Sequence, residues 1–246
     1  MNGDTNKVAI VTGASRGIGA AIAERLAADG FTVVVNYAGR AADAEALVTK
    51  IEAAGGKAIP AQADVSDPVA VARMFDAAQT AFGGVDVLVN NTGIMKLASL
   101  AESDDSLFDS QVAINLKGVF NTLREAATRL REGGRIVNLS SSVVGLRPAN
   151  YAVYAATKAG VEAMTHILTK ELRGRNVTVN AVAPGPTATA LFLEGKPQAV
   201  IDGLAKAAPL ERLGRPEDIA RAVAFLAGPD GAWINGQVLR ANGGII

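Results

Sequence analysis

The sequence predicts an α/β fold: a doubly wound central parallel sheet of about seven strands with helices on both faces, formed as one domain over residues 1–246. Three observations carry this. Short apolar runs such as Val8-Ala9-Ile10-Val11 lack the alternation of a half-exposed strand, as expected where a strand is buried on both faces. These runs alternate with helical stretches along the chain, the pattern of a parallel sheet with crossover helices. Hydrophobic residues make up 49% of the chain and aromatics only 4%, so the core is mostly Ala, Val, Leu and Ile, which suits close packing of helices on a sheet.

The first strand runs straight into Thr12-Gly13-Ala14-Ser15-Arg16-Gly17-Ile18-Gly19, followed by an Ala-rich helical segment, Ala20 to Asp29, stopped by Gly30. Strand, glycine loop, helix is the context in which glycines matter. They let the backbone turn tightly and approach a pyrophosphate, while free N–H groups and the positive end of the helix attract its charge. The spacing is G-x-x-x-G-x-G rather than G-x-G-x-x-G. The second strand, Phe31 to Val35, ends in Asn36-Tyr37-Ala38-Gly39-Arg40. An acidic residue here would bond the adenosine ribose of NAD and repel a 2′-phosphate. Asn36, with Arg16 and Arg40 close by, points to NADP(H), because a guanidinium recognises phosphate well.

A helix from Arg40 to Ala54 leads to the third strand, Lys57 to Ala63, which stops at Asp64-Val65, where a carboxylate can meet the adenine amino group; Asp67-Pro68 then opens a helix to about Phe82. The fourth strand, Val85 to Val89, stops at Asn90-Asn91-Thr92-Gly93. These polar clusters all fall at the carboxyl ends of strands, the ligand-binding edge of an open α/β sheet. A long helix is expected from about Asp104 to Leu130, with Phe108, Val112, Leu116, Val119 and Leu123 on one stripe and Asn115 beside it. Arg135 to Leu139 makes the fifth strand and ends in Ser140-Ser141-Ser142.

The next helix carries Tyr154-Ala155-Ala156-Thr157-Lys158. At a spacing of four, phenol and ammonium share one helical face, close enough for the cation to lower the phenol's pKa from about 10. A tyrosine so tuned exchanges a proton near neutral pH. Small residues on this helix, Ala155, Ala159, Gly160 and Ala163, permit close approach of another backbone, such as a subunit's. Val177 to Val182 is the sixth strand, Pro216 to Leu226 the last helix and Val238 to Arg240 the last strand.

Composition excludes several chemistries. Basic and acidic residues balance at 24 each, so nucleic acid and anionic membranes are not expected as partners. With no cysteine and one histidine, His166, disulfides, thiol nucleophiles and a metal centre are not expected; His166 reads as a structural or surface residue. A reducing, cytoplasmic location fits. Met1 to Lys7 lacks the apolar segment of a secretion signal, and the longest uncharged stretch, Asn176 to Leu193, is broken by Pro184, Gly185 and Pro186 and does not read as a membrane span.

Taken together, these residues resemble the short-chain dehydrogenase/reductase family over essentially the whole chain. Thr12 to Gly19 matches its glycine loop, Asn90 to Gly93 its N-N-A-G motif with Thr92 in place of alanine, Asn115 its helix asparagine, Tyr154 and Lys158 its Y-x-x-x-K, and Pro184-Gly185 its P-G turn. The resemblance implies a hydride-transferring oxidoreductase on a Rossmann-type fold. It implies binding of the dinucleotide by Gly13, Ser15, Arg16, Gly17, Ile18, Gly19, Asn36, Tyr37, Arg40, Asp64, Val65, Asn91, Thr92, Gly93, Tyr154, Lys158, Pro184, Gly185 and Thr187.

Within that family the catalytic serine lies thirteen residues before the tyrosine and is the second after the strand, which gives Ser141; the S-x-x-G pattern favours Ser142. Ser141 and Tyr154 are then expected to bond the substrate oxygen, with Tyr154 giving the proton, Lys158 binding the nicotinamide ribose and Asn115 holding a relay water. Residues 188–213 correspond to the lid, whose apolar Leu191-Phe192-Leu193 fits a hydrophobic substrate, and the usual assembly is a homotetramer, with a dimer the alternative. The expected activity is NADPH-dependent reduction of a ketone or aldehyde. Alternatives are a 3-oxoacyl carrier-protein reductase, docking its acidic partner through Arg129, Arg131, Arg173 and Arg175, an NAD+-dependent alcohol or polyol dehydrogenase, and a non-catalytic nucleotide sensor.

Overall fold

The computed structural model describes residues 7–246, so the expectation for the amino-terminal segment falls, Lys7 apart, outside the described residues. The chain runs β1 (Val8–Val11), α1 (Gly17–Ala28), β2 (Thr32–Tyr37), α2 (Ala41–Ala53), β3 (Lys57–Gln62), α3 (Pro68–Phe82), β4 (Val85–Asn90), α4 (Asp105–Gln111), a π turn (Val112–Lys117), α5 (Gly118–Arg129) and β5 (Leu130–Leu139). It continues with α6 (Val143–Leu146), α7 (Ala152–Glu171), β6 (Thr178–Pro184), α8 (Ala190–Leu193), α9 (Gln198–Ala207), α10 (Pro216–Ala227) and β7 (Val238–Ala241). The seven strands form one parallel sheet in the order β3-β2-β1-β4-β5-β6-β7.

Side chains alternate between the two faces of each buried strand. Ala9 and Val11 of β1 pack with Ile22, Leu26, Ile219 and Val223 of α1 and α10, while Val8 and Ile10 pack with Met74, Phe75, Leu123 and Val161 of α3, α5 and α7. Pro60 is tolerated in β3 because that strand is an edge, where a missing N–H breaks no ladder on the outer side. Helix α3 starts as its sequence dictates: the Asp67 carboxylate accepts from Val69 N at 2.8 Å, Pro68 occupies the first turn, and Gly83 closes the helix in the left-handed conformation.

The strand order reverses between β1 and β4, which opens a crevice at their carboxyl ends. The expected single helix from Asp104 to Leu130 is interrupted there. Gly118 N–H reaches back five residues to Ala113 O, and the wider π turn rotates the stripe, so Val119 and Leu123 are buried while Phe108 is exposed. Leu130, expected as the helix end, already begins β5.

Candidate active site

The glycine loop is fastened to the end of β4 by side chains. Asn91 Nδ2 donates to Thr12 O at 2.9 Å and Gly13 O at 3.0 Å, while Asn91 N and Thr92 N both donate to Thr12 Oγ1. Gly13 has φ +60°, and a methyl there would lie 2.9 Å from Thr92 Oγ1, so neither the conformation nor the space admits a larger residue. Gly17 is also left-handed, at φ +57°. Thr92 Oγ1, the group by which this chain departs from the N-N-A-G pattern, is buried and has no hydrogen-bond partner. Helix α1 begins without a side-chain cap and without an acidic residue in its first turn, which leaves its positive end facing the crevice.

Asn36, expected among the dinucleotide-binding groups, has its amide taken up by the chain's own backbone. Its amide is buried and turned inward: Oδ1 accepts from Gly13 N at 3.1 Å, and Nδ2 donates to Ala61 O at 3.2 Å and Ala63 O at 3.0 Å. A buried amide must satisfy its polar atoms, and here it does so by tying β2 to β3 and to the glycine loop. The outward groups at this strand end are Tyr37, half-buried, and the exposed Arg16 and Arg40; Arg40 pairs with Asp43 at 3.3 Å. Asp64 is exposed, accepting from Ser66 N and Oγ, and Val65 is buried with its carbonyl held by Asn121 Nδ2 at 2.9 Å.

Helix α7 brings Tyr154 and Lys158 to the carboxyl edge of β5. Lys158 is 4% exposed, and its Nζ donates to Leu139 O at 2.8 Å. It lies 5.8 Å from the centre of the Tyr154 ring. The expected lowering of the phenol by this cation is not what the surroundings produce. Burial pushes the Tyr154 phenol up to about 12, a hydrogen bond with Ser141 works in the opposite direction, and Tyr151 raises it further. Burial also brings the Lys158 ammonium down to about 8. Desolvation is the largest cause for both groups.

The three serines diverge. Ser140 Oγ turns to α7 and donates to Glu162 at 2.6 Å. Ser142 Oγ is buried, donating to Ala183 O at 3.2 Å and accepting from Asn242 Nδ2 at 3.1 Å. Only Ser141 meets Tyr154, so of the two candidates it is Ser141 that faces the phenol. Asn115 lies within the π turn, fully buried; its Oδ1 accepts from Ile94 N at 2.8 Å, and its Nδ2 donates to Ile94 O at 2.8 Å. A methyl on Gly93 would sit 3.4 Å from Asn115 Oδ1 and 3.7 Å from Lys158 Nζ, which places that glycine over the pair. Gly160 of α7 does admit a close neighbour, but one from the same chain: a methyl there would meet Leu116 at 2.8 Å.

On the far side of the crevice, Gly185 N–H donates to Ala241 O, and a methyl at Gly185 would lie 2.8 Å from Asn242 Cα. Thr187 is buried and donates to Gly185 O at 2.9 Å. The lid starts here, its two ends joined by Gly214 N to Pro186 O and Ala188 N to Gly214 O. Thr189 of the lid faces Gly17 of the glycine loop, 3.6 Å from where a methyl would stand. His166 is exposed on α7, away from these groups. Among the described residues no group of three or more His, Cys, Asp or Glu could hold a metal ion, and no helix is long and apolar enough to cross a membrane.

A buried polar chain beneath the site went unread in the sequence. Thr122 Oγ1 donates to Asn90 Oδ1, Asn90 Nδ2 to Asn138 Oδ1, and Asn138 Nδ2 to Thr165 Oγ1, linking α5, β4, β5 and α7. Its signal was present: asparagines in otherwise apolar strands at adjacent positions.

A seven-stranded doubly wound sheet with a glycine loop, a lid and a Ser-Tyr-Lys cluster at its switch point defines a nucleotide-dependent α/β oxidoreductase. Comparison with known proteins agrees. The family described as Enoyl-(Acyl carrier protein) reductase matches residues 13–246. A short-chain type dehydrogenase/reductase of Picea abies is 46% identical over 248 residues, covering 97% of this chain and 92% of the relative. An NADPH-dependent aldehyde reductase-like protein, chloroplastic, of Arabidopsis thaliana is 44% identical over 254 residues, covering 98% and 94%. The crystal structure of a short chain dehydrogenase from Burkholderia cenocepacia J2315 in complex with NADP superposes with a TM-score of 0.93 at 42% identity, covering 98% of each chain. The chain belongs to the short-chain dehydrogenase/reductase family, and it is an oxidoreductase acting between alcohol and carbonyl groups.

Proposed function

We propose that this protein reduces an apolar ketone or aldehyde with NADPH, with Tyr154 as the proton donor. The observation that carries the reading is the convergence of Ser141, Tyr154 and Lys158 beside Gly93 at the switch point of the sheet. The residues fit a dinucleotide: Gly13 and Gly17 leave a cradle that a methyl would fill, and the first turn of α1 is open to a pyrophosphate. Arg16 and Arg40 would hold a 2′-phosphate, with no acidic side chain at the end of β2 to oppose it. Asp64 and Val65 would meet the adenine, Lys158 the nicotinamide ribose, and the Gly185 to Thr187 turn the carboxamide. The bound nicotinamide supplies the hydride.

The chain's own groups handle the proton. Ser141 and Tyr154 hold the substrate oxygen and stabilise the negative charge that develops on it. A phenol with a pKa of about 12 remains protonated at working pH, so it is poised to donate. Once it has done so, the Lys158 ammonium, 5.8 Å from the ring, would favour the tyrosinate until a proton from solvent replaces the one given up. Asn115 holds both main-chain groups of Ile94, the residue after the Gly93 that faces Lys158.

A carrier-protein substrate is less well supported. Arg129, Arg131, Arg173 and Arg175 lie at the amino edge of the sheet, separated from the serines by the regular part of β5, Arg135 to Leu139, about 15 Å long. Arg129 is paired with Asp76 and Glu125, Arg131 with Asp86, and Arg175 donates to the carbonyls of Ala127 and Leu130. Apolar side chains left exposed on α4, α5 and α7 (Phe108, Phe120, Ile167) and around β7 (Phe225, Trp233, Leu239) support assembly into a homotetramer.

The test is NADPH and NADH oxidation against a panel of ketones, aldehydes, quinones and 3-oxoacyl thioesters. Carbonyl-dependent oxidation of NADPH, at least tenfold more efficient than that of NADH, is the expected result. Better kinetics with NAD+ on alcohols, or nucleotide binding without turnover, would overturn the reading.

A further inference from the structure

We propose that Gln111 is a positioning residue for the segment Ile94–Ala98, and that it sets affinity for the carbonyl substrate rather than the rate of proton transfer. The proposal rests on the function proposed above.

Gln111 ends α4 and is 0% exposed. An apolar side chain would be buried there at lower cost, so the amide's partners matter. Both belong to one residue outside the helix: Lys96 N donates to Gln111 Oε1 at 3.3 Å, and Gln111 Nε2 donates to Lys96 O at 3.2 Å. Asn115, four residues on, grips Ile94 in the same reciprocal way. Ala98 N then donates to Asn150 O at 3.2 Å. Residues 94, 96 and 98 are each pinned, every second position of an extended segment, though no strand lies alongside.

This rail joins the two halves of the reacting centre. It leaves Gly93, whose bare Cα faces Asn115 Oδ1 and Lys158 Nζ, and it ends on the loop at Asn150, four residues before Tyr154. Asn150 itself is left-handed, at φ +70°. The rail carries three apolar side chains, Ile94 and Met95 half-buried and Leu97 exposed, between those two ends. Ile94 is held by a residue next to Lys158, and Ala98 by the loop leading into α7. The middle pin is Gln111. Releasing it loosens the surface a substrate packs on while Ser141, Tyr154 and Lys158 keep their own supports on β5 and α7.

The experiment uses the full chain with NADPH and an aryl alkyl ketone. Gln111→Leu removes both bonds and puts no polar side chain at this buried position; Gln111→Glu keeps the acceptor for Lys96 N but loses the donor to Lys96 O. Loss of two such bonds is expected to raise the ketone KM about tenfold in Gln111→Leu. The kcat should stay within about twofold and the NADPH Kd, read by fluorescence, should be unchanged. Gln111→Glu should fall between Gln111→Leu and wild type. Amide hydrogen exchange at Lys96 should quicken in Gln111→Leu, whose side chain no longer accepts from that amide.

An unchanged KM, or a fall in kcat at constant KM, overturns the proposal, as does unaltered exchange at Lys96. If Gln111→Leu does not fold, the KM of Gln111→Glu decides alone: a value equal to wild type defeats it. If wild-type protein oxidises no NADPH with any carbonyl, the proposed function fails, and the exchange measurement still decides whether Gln111 pins the rail.

Discussion

The two edges of the sheet treat their ionisable groups differently. At the amino edge, Asp86 accepts from Val8 N at 2.8 Å and pairs with Arg131 at 2.9 Å, while Arg175 donates to the main-chain carbonyls of Ala127 and Leu130. These three charges are neutralised or shared, while Arg135 beside them keeps a buried Nε with no partner. At the carboxyl edge, the polar side chains that fasten the loops, Asn36, Asn91 and Asn115, are neutral, and the ionisable ones, Tyr154 and Lys158, are left without an ion-pair partner. An unpaired buried ionisable group costs stability and shifts its pKa toward the neutral form. The amino edge uses its charges to close the fold, and the carboxyl edge keeps its own available for chemistry.

That contrast can be broken by substitution. Tyr154→Phe should abolish the proton donor and lower kcat for carbonyl reduction by about 10³-fold, within the range general acids contribute, while the thermal transition stays in place. Activity retained in Tyr154→Phe would remove the mechanism. Ser141→Ala should lower kcat about 10²-fold, the size of losing one donor to the developing oxyanion. Ser142→Ala should act on stability instead, costing about 1 kcal/mol, because its hydroxyl serves Ala183 and Asn242. Equal kinetic effects from the two serines would erase the distinction between them.

Lys158 connects activity with pH. The ammonium is lost as pH rises through about 8, so the rate of carbonyl reduction should decline across that pH, measured as kcat at saturating NADPH. Stability should move the other way. The unfolded chain holds this proton up to about 10.5 and the folded chain only to about 8, so between those values the unfolded state binds more protons and folding gains stability as pH rises. Lys158→Met should therefore be inactive yet no less stable than wild type at pH 7, a result a urea titration can read. At the amino edge, Arg131→Ala should cost about 0.5–1 kcal/mol with kcat unaltered, since the pair with Asp86 is partly exposed and remote from the site. A kinetic effect of Arg131→Ala would mean that the edges are coupled.

Much of the site was legible because its signals are local. The glycine loop, the strand ends and the Tyr154–Lys158 spacing depend on neighbours a few residues apart, and the strands read as buried from their unbroken apolar runs. What escaped depended on long-range pairing. Asn36 counts by sequence among the dinucleotide-binding residues, because the sequence does not say which way a side chain turns at the end of a strand. It turns inward because Gly13, Ala61 and Ala63 present one donor and two acceptors to it. The π turn at Asn115 was read as plain helix, since adding a residue to one turn preserves helical composition and changes only the phase of the stripe.

By itself the sequence determined the α/β class, the strand count, the glycine loop between β1 and α1 and the shared helix of Tyr154 and Lys158, all of which rest on periodicity and short spacing. Only the tertiary structure decided that Ser141 rather than Ser142 meets the phenol and that burial, not the neighbouring cation, governs the pKa of Tyr154. It also decided that the arginines stand at the edge away from the site. Desolvation and hydrogen-bond partnership belong to surroundings assembled from distant segments, and no local pattern encodes them.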